Sequence, residues 1–134
     1  MAQSIEDTVA TRQPDDTLDP TLTDDMLHAF AAALPSSDQD TAEQRDRGCT
    51  AAFVALRAFE AQGPAEAMLA THTVLVHRFA MECYRRAALS SRTSSLDTGL
   101  LATAAMLSRT MDLMLNTLEQ RQDEALWDGS QGVA

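Results

Sequence analysis

The chain has 134 residues, with twenty acids, ten arginines and no lysine, for a formal charge of −10. One Tyr, one Trp and four Phe leave Leu, Ala, Met and Val to build the core. That palette favours helices and argues against a strand-rich fold, and the length suits a single domain.

The acidity sits at the front: residues 1–44 carry −9 and residues 45–134 only −1. Residues 1–21 combine Asp, Thr and two prolines with no apolar period, so they are expected to form a disordered acidic arm. They also lack the basic start and apolar stretch of a signal peptide. No run approaches the roughly 18 apolar residues of a membrane span. A cytoplasmic protein without a membrane partner is expected. The arginine-only basic set reads as coding bias in a GC-rich genome.

The helical domain is expected over residues 22–127, with a flexible tail at 128–134. A short first helix starts at a Thr23 or Asp24 cap and stops at Pro35, with Met26, Leu27, Phe30 and Leu34 on one face. The second runs from about Thr41 to Gln62, with Cys49, Ala52, Phe53, Leu56 and Phe59 at three- and four-residue steps. Gly63-Pro64 then stops one helix and restarts the next.

The third helix covers about Ala65 to Ala88, followed by a serine-rich break in which Ser94 or Ser95 caps the fourth. The fourth runs from about Leu96 to Leu126. In it Leu100, Leu107 and Met114 hold one heptad position, while Ala104, Met111, Leu118 and Ala125 hold the other. All of these but Ala125 are the expected helix-seam and oligomer contacts. The fold expected is all-α: an antiparallel bundle of three long helices plus a short N-terminal one. Met106, Leu113 and Leu115 lie off the seam and offer surface for self-association.

The third helix also carries His72, His77, Glu82 and Cys83, which invite a metal or catalytic reading. Helical geometry argues against it. His72, Val76, Phe79 and Cys83 share a stripe, but His72 and Cys83 are about 16 Å apart along the axis, and His77 points elsewhere. The spacing HTVLVH is not that of a zincin pair, and no glycine-rich turn exists to expose a nucleophile. His72 is expected at a satisfied edge position and His77 in solvent. Cys49 and Cys83 are expected as buried, reduced thiols. No catalytic residue, metal or cofactor is expected.

Arg78 and Arg85 share a face with Glu82 between them, as a solvated ion-pair ladder. Arg78, Arg85, Arg86 and Arg92 are therefore the candidates for binding an anion or a partner. No dense basic patch argues for nucleic acid, and the near-neutral domain does not exclude it.

The stretches EAMLATHTVLVHRFAMECYRRA and LLATAAMLSRTMDLMLNTLEQR resemble a group of small alphaproteobacterial helical proteins of phage or mobile-element type. Those proteins pair a helix like ML…THxxAMECxRRA with one like LxxAxKLxRTxxxLLEAL. The resemblance covers about residues 66–121. It is carried by Met68, Leu69, Thr71, His77, Met81, Glu82, Cys83, Arg85, Arg86 and Ala87, then by Ala104, Leu107, Arg109, Thr110, Leu115 and Leu118.

It implies a non-enzymatic helical protein that self-associates or docks on a protein partner, a DNA-packaging accessory resembling a terminase small subunit being one version. The group's basic, glycine-rich tail is missing here, since the chain ends EQRQDEALWDGSQGVA. The alternative is a cytosolic adaptor or regulator that binds a basic protein through the acidic arm.

Overall fold

A computed structural model describes residues 20–132. They form four α-helices: α1 Pro20–Ala33, α2 Ala42–Ala58, α3 Pro64–Thr93 and α4 Thr98–Gln131. No strand occurs among the described residues. The acidic arm, up to residue 19, lies outside them, as do the last two residues of the tail.

The frame is a hairpin of α3 and α4, which pack on each other far more extensively than any other pair of helices. Only residues 94–97 join them. At the open end, Nε2 of Gln122 on α4 donates to Oε2 of Glu66 on α3, at 3.2 Å. A short link at one end and this bond at the other require the two helices to run antiparallel. α2 has only 17 residues, so it is not the third long helix expected. It packs on α3 together with α1, and the small core there joins Phe30, Ala52 and Val74. Phe30 and Phe53 meet edge to face with centroids 5.4 Å apart.

Small residues set how closely the helices approach. Ala70, Thr73, Ala80 and Ala87 of α3 are buried, as is Ala104 of α4, and Leu118 is the one large side chain fully buried on either helix. Of the residues expected to form the seam on α4, Ala104 and Leu118 are buried, while Leu100, Leu107, Met111 and Met114 are half-buried. The stripes expected on the first two helices also face inward. Phe30 and Ala52 are buried, with Met26, Leu27, Leu34, Cys49, Phe53, Leu56 and Phe59 half-buried.

Helix ends depart from the sequence expectation for identifiable reasons. α1 begins at Pro20, a residue suited to a first turn, so Thr23 and Asp24 lie inside the helix. α2 ends at Ala58, not Gln62, because Glu60 takes φ 48° and breaks the helical run. Its start is a capping box in which Gln44 N–H donates to Thr41 Oγ1 and Thr41 N–H donates to Gln44 Oε1.

α3 continues through the serine-rich stretch to Thr93. Ser90, Ser91 and Thr93 turn their hydroxyls onto the carbonyls of Ala87, Ala88 and Ser90, satisfying themselves within the helix. Ser94 closes α3, and Asp97, not Ser94 or Ser95, caps α4 by accepting from Leu100 N–H. α4 runs past Leu126 to Gln131, into the stretch expected as a flexible tail.

Candidate interaction surface

The polar candidates on α3 do not converge. His72 and His77 are both exposed, so His72 is not the satisfied edge residue expected. Cys49 and Cys83 are free thiols, half-buried where full burial was expected. Among the described residues, no three His, Cys, Asp or Glu side chains are grouped to hold a metal ion. No described helix is long and apolar enough to cross a membrane.

The arginines are dispersed by their pairing. Glu82 accepts from Arg85 Nε and Nη2 at 2.7 Å each, and from Arg86 Nε at 2.8 Å. The expected ladder thus shifts: Arg86, not Arg78, is the second partner. Glu82 lies N-terminal to both arginines, the favoured order on a helix. The Arg85 hydrogen bond is the main cause that lowers the Glu82 carboxyl from its ordinary 4.5 to about 2. Partial burial opposes this, and the Arg86 bond adds to it.

Arg78 turns instead toward α2, where its Nη2 lies 3.0 Å from the position a Cβ on Gly48 would occupy. There it lines an open cleft of ≈ 420 Å³ whose walls include Arg45, Asp40 and Asp46, so both signs of charge share it. Arg92 stands exposed in the last turn of α3, where a cation complements the helix dipole. The four arginines thus differ in their partners: Glu82 for Arg85 and Arg86, the cleft beside α2 for Arg78 and the end of α3 for Arg92.

What the fold does gather is apolar surface. α2 packs on one flank of the hairpin, over a hollow bordered by Val74 and His77 of α3 and by Met111 and Leu115 of α4. At about 100° per residue, two other rows fall on the opposite flank. On α3 these are Leu69, Val76 and Cys83, with Phe79 beside them. On α4 they are Leu100, Leu107 and Met114. All six row residues are half-buried, and Phe79 is 43 % exposed.

No described helix covers this flank. Val76, Phe79 and Cys83 belong to the stripe evident in the sequence, and Leu100, Leu107 and Met114 are one half of the expected seam. Met106 and Leu113 lie further round α4 and stand 58 % and 68 % exposed, whereas Leu115 is half-buried on the α2 side. Leu126 and Trp127 are exposed near the end of α4. Periodicity alone did not single out Trp127, and its position near the chain end gave no signal. No protein-family model, curated protein or solved structure matches the chain.

Proposed function

We propose that this is a non-enzymatic helical protein whose work is contact with other protein, by self-association or by docking on a partner. One observation carries the reading. The buried apolar residues are mostly alanine, while Phe79, Met68, Met106, Leu113, Leu126 and Trp127 are left exposed. Apolar surface that is contiguous, as the rows on the flank opposite α2 are, marks a contact site.

The resemblance to phage-type helical proteins agrees with such a role. The DNA-packaging version draws less support, because two of the four candidate arginines are already paired with Glu82. Native size tests the reading. In clarified extract of cells that make the protein, it is expected to elute well above the 14.5 kDa of one chain. Elution at the single-chain position would contradict a contact role.

A further inference from the structure

We propose that a second copy of this chain docks on the hairpin flank opposite α2 and closes a four-helix bundle. The inference rests on the contact reading above and names its partner.

The flank is built to lose water. Three residues after Leu100, Leu107 and Met114 in turn, α4 places Thr103, Thr110 and Thr117. Each turns its hydroxyl back onto its own helix, donating to Gly99 O, Met106 O and Leu113 O at 3.0, 3.1 and 2.9 Å. Their hydrogen bonds are therefore already made, and covering them leaves no donor stranded. Larger side chains (Phe79, Leu107 and Met114) stand beside the smaller Val76, Cys83 and the threonines, a relief that admits knobs from another helix.

The apolar face favours a second copy over a charged partner. Between Leu69 and Cys83 on α3, and between Leu100 and Thr117 on α4, the rows contain no acid and no arginine; His72 stands beside them, and Arg86 and Arg121 follow their ends. A basic partner finds no carboxylate to pair with along the rows. A twofold mate applies the same patch to itself, and interfaces between identical chains are the more apolar ones. Antiparallel helices suit the same symmetry, since either in-plane twofold leaves every neighbouring pair antiparallel.

Size agrees too. From Leu69 to Ser90 the face is about 30 Å long and two helices, about 20 Å, wide, so its projection is about 600 Å². That is the order of the ~800 Å² per partner in a stable complex.

The test compares masses by light scattering at about 100 µM full-length chain, far above a micromolar Kd. Unmodified protein is expected at twice the single-chain mass. The pair Phe79→Glu and Thr103→Glu, both at positions exposed in one chain, is expected to halve that mass with helix content unchanged by circular dichroism. Thr117→Glu alone serves if the pair loses helicity, with the same halving expected. The pair Met106→Glu and Leu113→Glu, further round α4, is expected to leave the dimer intact.

A dimer that survives the first pair or Thr117→Glu, but is lost with the second, would overturn this face and leave the contact reading standing. A single-chain mass for unmodified protein would overturn the second copy as occupant. The native assembly would then be built with another protein, and its size in extract separates the two failures.

Discussion

Gln122 and Glu66 are 56 positions apart in sequence, yet they meet at 3.2 Å, and Gln122 Nε2 also donates to Phe59 O at 2.9 Å. Glu66 is buried and accepts a further bond from Gln62 N–H at 2.9 Å. One amide thus ties α4 to the end of α2 and to the start of α3. Replacing Gln122 with Leu removes the donor and leaves a buried carboxylate and a carbonyl short of a partner. The expected cost is about 1–3 kcal/mol in urea unfolding. An unchanged midpoint would mean that the open end of the hairpin is held by packing alone.

Gly63 initiates α3 at φ 88°, ψ 174°, a conformation that is essentially glycine's alone. Gly63→Ala is expected to destabilise by about 1–3 kcal/mol. Thermal melts of the two proteins check it, and a variant as stable as the parent would show that the α2–α3 link relaxes freely.

The closeness of α3 and α4 depends on alanine. Ala104 has no exposed surface, so Ala104→Leu forces the helices apart or its side chain off its rotamer. About 1–3 kcal/mol of destabilisation is expected. A stable Ala104→Leu protein would mean that the seam has room for a larger residue.

The Glu82 carboxyl is held at about 2 in the fold against an ordinary 4.5. The depressed value means that its pairing stabilises the protein above about pH 4.5, and that the contribution fades as pH falls toward 2. Both arginines are about half exposed, which keeps the contribution near 1 kcal/mol. Glu82→Gln is expected to be less stable by that amount at pH 7, with the gap narrowing as pH falls from about 4.5 to 2. A gap of undiminished size at pH 2 would assign the loss to packing instead.

Much of the fold was legible because helical periodicity writes burial directly into spacing. The heptad through Ala104 and Leu118, the α2 stripe from Cys49 to Phe59 and the face of Phe30 point inward, whereas the heptad through Leu100 turns to the uncovered flank. Helix ends were less legible, because they turn on single side chains. Ser90 and Ser91 look like a break until their hydroxyls find the preceding carbonyls, and Glu60 gives no sign of its positive φ. The arginine set was misread for a similar reason. Arg78 and Arg86 both lie four residues from Glu82, and the open space beside Gly48 draws Arg78 toward α2. The exposed flank was present as a stripe in the sequence, but which side α2 takes is a tertiary fact.

The most direct measurement is isotope-filtered NMR on a mixture of methyl-labelled and unlabelled chains. Self-pairing through the uncovered flank predicts intermolecular contacts from the methyls of Val76, Leu107, Thr110 and Met114, with none from Leu113. Intermolecular contacts confined to Met106 and Leu113, or none in a sample of single-chain mass, would contradict it.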